Sequence, residues 1–364
     1  MDQYLHIVSF NVPLPANYGG VIDVFYKIKA LHQQGVKVIL HCFLYDRNEN
    51  PDLDKYCEKV YYYQRKRNLK YFLSTKPYIV ITREDDDLLN CLSSDHYPVL
   101  FEGLHSAAWV NHPLLKHKKK LIRIHNVEHQ YYQLLAQEES NIFKKLYFKL
   151  EALKLKSFEK KLQNTQHFLV LSNYDAQYYA QLYASVHLIP PFHQYEALKI
   201  EEVVGDYILF NADFNVSINY KFAKELNKWA RQANKKLILA GKVDFEHFED
   251  ISIFQNPTET ALDHLVANAF VNIVSSDHPS GFKLKLVHAL YRSKNIVVVG
   301  KYLKEFTEIA CPQLKFISSL NELSKSIQQI EEEQSSMEQI LTNRLKAFHY
   351  FNNIKQAKHI ISFL

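Results

Sequence analysis

Cysteine is scarce in this chain. Cys42, Cys57, Cys91 and Cys311 are its full complement, and they fall without metal-ligand spacing, which excludes a disulfide framework and a zinc knuckle. Long apolar runs are missing as well. No stretch approaches the roughly 18 apolar residues that a membrane-spanning helix needs, and the first residues read as a strand rather than a signal peptide. A cytoplasmic protein is the default expectation. There is no short repeat of solenoid type, no G-x-G-x-x-G fingerprint and no P-loop lysine. No nucleic-acid reading motif accompanies the basic residues, so nucleic acid is not an expected partner.

What is present fits an enzyme-sized globular protein. The 364 residues suffice for two domains, with 47% hydrophobic and 23% charged residues. A formal charge of +5, with 24 Tyr and 23 Phe, would suit a phosphorylated small molecule, an anionic membrane surface or nucleic acid. Charge alone does not choose among them.

The chain opens on an apolar run at 5–10, a loop with Pro13, Pro15, Gly19 and Gly20, and a helical pattern with Val21, Val24, Phe25, Ile28 and Leu31 on one face. Strand, loop and helix in that order leave free N–H groups and the positive end of the helix dipole at the carboxyl end of a sheet. Glycines there would let an anionic ligand approach the backbone. The same residues also fit an ordinary strand–helix turn.

Further strands are expected at 36–43, 60–63, 98–102, 121–125 and 168–171, with 78–81 ambiguous and a helix starting near 85–90. Residues 128–162 read as one long helix, or two with a break around 139–141. Ser172 caps a helix over 174–182, and 186–189 closes the first half before Pro190 and Pro191. The rhythm restarts with strands at 207–210, 236–241, 251–254, 270–274 and 295–300, and helices at 217–233, 258–266, 282–291, 302–310 and 321–340. The expectation is a parallel α/β fold with a domain over 1–190, a second over 191–341 and a basic helical segment over 342–364.

Polar groups cluster at the strand ends. Glu102, His105 and Ser106 follow one strand, and Arg123, His125, Asn126, Glu128 and His129 follow another. A histidine beside a carboxylate can act as acid or base, hydrogen-bond sugar hydroxyls, or simply pack or cap. His125, Glu128 and His129 have the elements of a metal site, but in a weak pattern, and no metal is expected. In the second half a turn and helix start with Gly281, Phe282 and Lys283 resemble an anion site. Lys285, two residues on, would point elsewhere on the helix, and Lys242 ends a strand. The lysine-rich 144–161 helix can rest on anionic lipid or serve as a solvated face.

Three stretches together resemble a retaining glycosyltransferase of the GT-B class, a compact bacterial relative of family four: residues 17–23, 123–132 and 280–290. The resemblance implies a GT-B fold, two Rossmann-like domains with parallel sheets facing an interdomain cleft, and a C-terminal helical segment over 342–364 that crosses back to the N-terminal domain. It also implies a nucleotide-sugar donor (UDP- or GDP-sugar), a saccharide or lipid-linked saccharide acceptor, and no cofactor. By this resemblance Gly19, Gly20, Lys242, Gly281, Phe282, Lys283 and His288 are donor-binding, His105, His125 and Glu128 are catalytic, and Asn126 and His129 lie on the acceptor side. Family members carry a pair of glutamates near the third stretch. Here His288 stands at one of those places, and Asp277 approximates the other. The implied process is hexose transfer with retention in surface polysaccharide biosynthesis. The alternatives are a non-catalytic GT-B-like binding protein and a UDP-sugar epimerase.

Overall fold

The computed structural model describes residues 3–244, 253–276, 281–300, 309–333 and 335–364. They form two compact units: Met1–Gln194 with Ser280–Phe282 and Asn352–Leu364, and Tyr195–Pro279 with Lys283–Phe351.

In chain order the first unit contains β1 (Gln3–Ser9), α1 (Gly19–Gln33), β2 (Val36–Leu44), β3 (Lys59–Gln64), α2 (Tyr78–Ile81), α3 (Asp86–Ser93) and β4 (Val99–Glu102). It continues with β5 (Lys120–Ile124), α4 (Glu128–Glu138), α5 (Ile142–Glu159), β6 (His167–Val170), α6 (Asn173–Ala180) and β7 (Val186–Leu188). The second unit holds β8 (Tyr207–Asp213), α7 (Ser217–Gln232), β9 (Lys236–Lys242), β10 (Phe254–Gln255), α8 (Glu259–Asn268), β11 (Val271–Ser275) and α9 (Leu284–Arg292). β12 (Ile296–Val299), β13 (Leu314–Ile317), α10 (Leu323–Glu332) and α11 (Met337–Tyr350) complete it. The chain then ends with α12 (Asn353–Ile361), which belongs to the first unit.

The first sheet is parallel throughout, in the order β3-β2-β1-β4-β5-β6-β7. Its inner strands are apolar almost without interruption because both faces are covered. Successive residues divide between the two faces: Val8, Phe101, Ile122 and Phe168 enter one core, Ile7, Leu100, Leu121 and Leu169 the other. Val24, Ile28 and Leu31 of α1 and Ala357 and Ile360 of α12 cover the second face. The second unit repeats the plan with β10-β9-β8-β11-β12-β13. In each sheet the chain runs outward from its first strand, then returns to that strand's other side. The connections after β1 and β4, and after β8 and β11, therefore diverge and open a crevice at the strands' carboxyl ends.

Residues 78–81, ambiguous in the sequence, are helical. The Glu151 carboxylate accepts the Tyr78 N–H at 2.7 Å and so caps the turn from a distant part of the chain. The long helical region breaks at 139–141, where the Asn141 side chain caps α5. The helix expected over 321–340 divides into α10 and α11, with Ser336 starting the latter in a capping box. Strand β13 was not among the expected elements. Ile251, Ser252, Asp277 and most of the helix expected over 302–310 lie outside the described residues.

Candidate functional site

In the first unit, α1 begins at Gly19 after Tyr18, whose extended backbone starts the helix without a side-chain cap. A Cβ on Gly20 would lie 2.8 Å from Cζ of Phe10, the residue that follows β1. The Phe10 ring also packs against His105 (5.6 Å between centroids) and His125 (5.7 Å, edge-on). Gly20, His105 and His125 thus meet around one aromatic ring at the switch point between β1 and β4. Phe10 is a site residue that the sequence reading missed. Its only signal is an aromatic side chain at the end of the first strand.

A closed charge network lies behind this surface. Asp23 accepts from Arg123 Nε at 3.0 Å and Nη2 at 2.9 Å, and from Lys27 at 2.9 Å. Lys27 also donates to Glu102 Oε1 at 2.6 Å, and the ring of His125 to Glu102 Oε2 at 3.2 Å. Arg123 spends its other N–H groups on the carbonyls of Ile189 and Pro190. Burial alone would raise the Glu102 carboxyl, but Lys27 and His125 draw it below its ordinary value. Two carboxylates and two cations balance in a desolvated place, where loss of one member strands the others. Asp23 and Lys27 are legible as an i,i+4 pair set into the apolar face of α1.

Donor atoms of Asp23, Glu102 and His125 lie within 4.8 Å of one another, a metal-like grouping. The cationic position there is filled by Lys27 and Arg123. The metal-like trio visible in the sequence is divided: His125 turns to Glu102, whereas His129 Nδ1 meets Glu159 at 2.6 Å.

Gly103 adopts φ +71°, and a Cβ on it would stand 3.1 Å from His105 Nδ1. The turn holds His105 against Phe10. Burial, then Arg83, His125 and Arg65, push the His105 imidazole well below its usual value, so it is neutral at physiological pH.

Glu128, at the start of α4, is buried. Burial, then Glu159 and Asp175, raise its carboxyl to about 8, against a hydrogen bond from Asn126. His129, equally buried, sits on a Glu159 that also accepts from Tyr178. Gly281 groups with this first unit. Its N–H donates to Asp175 Oδ2 at 3.0 Å, and at φ +71° a Cβ would fall 2.2 Å from Asn126 Oδ1. That N–H therefore serves Asp175, while Lys283 falls in the other unit.

In the second unit α9 starts beside the end of β8. Lys283 is its N-cap residue, with φ −87° and ψ 91°. That non-helical backbone breaks the regular angular step, and Lys285 does not point away as the sequence suggests. Burial, with Lys283 adding, lowers Lys285 to about 8, and the Asp213 carboxylate opposes the drop. Lys242 ends β9 in register with Asp213, is exposed and lies 3.4 Å from Asp244. His288 joins a different group: it meets Asp263 of α8 at 3.0 Å, Arg292 binds the same carboxylate, and Tyr195 stacks on its ring. The hydrogen bond from His288, with Arg292, holds Asp263 far below the carboxylate range.

No known family pattern matches the chain. Solved structures of very similar architecture cover nearly all of it. Sucrose-phosphate synthase of Thermosynechococcus elongatus superimposes with a TM-score of 0.67 at 16% identity, covering 99% of this chain and 98% of that one. HepE of Anabaena, solved with UDP and glucose, gives 0.66 at 11% identity, covering 100% and 99%. TarM of S. aureus, solved with fondaparinux, alpha-GlcNAc-glycerol and UDP, gives 0.65 at 9%, covering 99% of each. The fold is that of the GT-B glycosyltransferases. A curated relative, the uncharacterized 44.6 kDa protein in the cps region of Klebsiella pneumoniae, is 30% identical over 166 residues. That match spans 44% of this chain and 42% of that protein, under half of either length.

Proposed function

We propose that the protein is a glycosyltransferase that moves a hexose from a UDP- or GDP-sugar, with retention, to a saccharide or lipid-linked saccharide in surface polysaccharide biosynthesis. The observation that carries this reading is the paired lysines at the α9 N-terminus, Lys283 and Lys285, at the switch point of the second sheet in a GT-B fold. As the anomeric bond breaks, the leaving nucleoside diphosphate gains negative charge. A helix N-terminus and two ammonium groups stabilise that charge without a metal. In this reading residues 191–341 hold the donor and residues 1–190 the acceptor. The basic segment 342–364 supplies α12 to the first unit. Gly19 and Gly20 line the first-unit crevice, His105 and His125 hydrogen-bond sugar hydroxyls, and Glu128 is the proton reservoir beside Asn126 and His129. The cps-region relative supports the polysaccharide assignment.

A membrane-face location is part of the proposal. Helix α5 has apolar side chains on both sides: its buried side carries Ala152 and Leu155 beside Glu151 and Glu159, while Ile142, Phe143, Leu146, Leu150 and Leu153 are exposed, Phe143 by 82%. On a 3.6-residue period these five share one face, and Lys145, Lys149 and Lys156 border it, as on interfacial helices that rest on anionic lipid. Among the described residues no helix is long and apolar enough to cross a membrane.

Calorimetry across UDP-, GDP-, ADP- and CMP-sugars tests the donor reading. One nucleotide sugar is expected to bind, and Lys283→Ala to weaken it about tenfold. Absence of all binding, or binding indifferent to Lys283→Ala, overturns the reading. Release of free sugar and nucleoside diphosphate would mark a transferase. A changed sugar configuration on an intact nucleotide would mark an epimerase.

A further inference from the structure

The carboxyl ends of β1, β2 and β3 gather arginines that the site above leaves unused. Arg83 is 5% exposed; its Nε donates to the Phe10 carbonyl at 2.9 Å and Nη1 to the Ile79 carbonyl at 2.7 Å. Arg65 donates to Thr82 Oγ1 at 3.1 Å, and its guanidinium lies 4.2 Å from the Tyr45 ring centroid. Arg67 lies over the same ring at 4.4 Å. Among the described residues no carboxylate pairs with any of the three. The acids nearest in sequence are committed elsewhere: Asp46 accepts from Asn11, Glu84 pairs with Lys76, and Asp85 caps α3.

Like charges collected without a counter-charge are costly, and more so where one is buried. Burial, with Arg65 adding, lowers Arg83 to about 9. Guanidinium forks held by aromatic rings and carbonyls are preorganised for bidentate contact with a phosphoryl group. An aromatic track leads away from them. Arg65 lies 5.9 Å from the Tyr78 ring, Tyr78 stacks on Phe72 at 4.5 Å, and Phe72 meets Tyr147 of α5 edge-on at 5.4 Å. There the track joins the exposed apolar face of α5 and the exposed Leu69 and Leu73.

We propose that Arg65, Arg67 and Arg83 bind the phosphate or diphosphate of an amphiphilic acceptor whose apolar part lies along Phe72, Tyr147 and α5. The anion is thus one carried on a lipid rather than on a free sugar: a charge site that runs into exposed apolar surface suits a molecule with both parts. Its role as acceptor rests on the glycosyltransferase reading; the binding site itself does not.

The test is calorimetry on the full chain with decyl diphosphate, inorganic pyrophosphate, glucose 6-phosphate and UDP. Decyl diphosphate is expected to bind at least about tenfold tighter than pyrophosphate or glucose 6-phosphate. The double variant Arg65→Gln/Arg67→Gln, with its melting temperature checked against the parent, should lose about tenfold for decyl diphosphate and keep UDP binding. Arg83→Lys, which keeps the charge but not the fork, should also weaken decyl diphosphate. Lys283→Ala should do the reverse, losing UDP and keeping decyl diphosphate. Decyl diphosphate affinity unchanged in the double variant overturns the site. Equal affinity for glucose 6-phosphate overturns its lipid character. If decyl diphosphate binds through the arginines while no nucleotide binds, the site stands and the transferase reading falls.

Discussion

Glu128 holds a proton that a carboxyl in water would have released. Its folded value of about 8 stands above the ordinary 4.5, so between those values the folded protein retains a proton that the unfolded chain gives up. Its contribution to stability is then greatest below about pH 4.5, falls as pH rises through the window and levels off above about pH 8. For a buried group the difference is on the order of 5 kcal/mol. Glu128→Gln should flatten the melting temperature against pH, matching the parent near pH 4 and exceeding it near pH 9; parallel profiles would refute the assignment. Gly241 makes a second residue-level case. At φ +152° its Cβ position lies 1.8 Å from the Ala212 carbonyl oxygen on the adjoining strand. Gly241→Ala should cost upwards of about 3 kcal/mol in denaturant unfolding; a loss within about 0.5 kcal/mol would contradict that geometry. Both positions bear on what single residues disclose. That His125, Glu128 and His129 are polar groups at a strand end is legible in the sequence. That His125 and His129 pair with Glu102 and Glu159, and that Glu159 and Asp175 crowd Glu128, is not, because the fold brings those acids from other elements. For the same reason nothing beside His288 announces Asp263.

At the scale of elements, the strands and most helices are legible because their pattern is local: buried parallel strands read as unbroken apolar runs, and Ser172, Asn141 and Thr258 announce helix starts. Helix α2 is hidden because its cap comes from Glu151, far along the chain. Lys285 is misjudged because its helix begins at Leu284, two residues later than the expected 282, which leaves Lys283 outside the regular helical step. Helix α5 departs from the usual rule: Glu151 and Glu159 turn inward beside Ala152 and Leu155, and five apolar side chains turn outward. Phe143→Ser/Leu146→Ser should therefore leave the melting temperature within about 1 °C while abolishing sedimentation with anionic vesicles. Retained vesicle binding would exclude this face, and raised salt should weaken binding by the parent.

The whole molecule is assembled from discontinuous chain. The first unit needs residues 352–364 as well as 1–194. Ala357 and Ile360 are fully buried against its core, and Asn353 exchanges hydrogen bonds with the His193 backbone. Ending the chain at 351 should lower the first unit's melting by about 5 °C or more, since uncovering one Ile side chain alone costs about 1.5–3 kcal/mol. An unchanged melt would mean α12 is dispensable. The two parallel sheets and their switch points are legible from the alternation of strands and helices. The return of residues 352–364 to the first unit is a long-range contact that no local pattern encodes; only the family resemblance implies it.

That last arrangement bears on how the protein is made. A ribosome delivers the first unit's sheet early, yet α12 emerges only after the entire second unit has been synthesised. Until then the surface formed by Leu5, Ile28 and Leu31 waits uncovered, a stretch of translation in which a chaperone can bind it. Slow-translating codons in the second half would prolong that exposure, and a strain poor in chaperones should yield less of this protein than of a variant with α12 relocated ahead of β1.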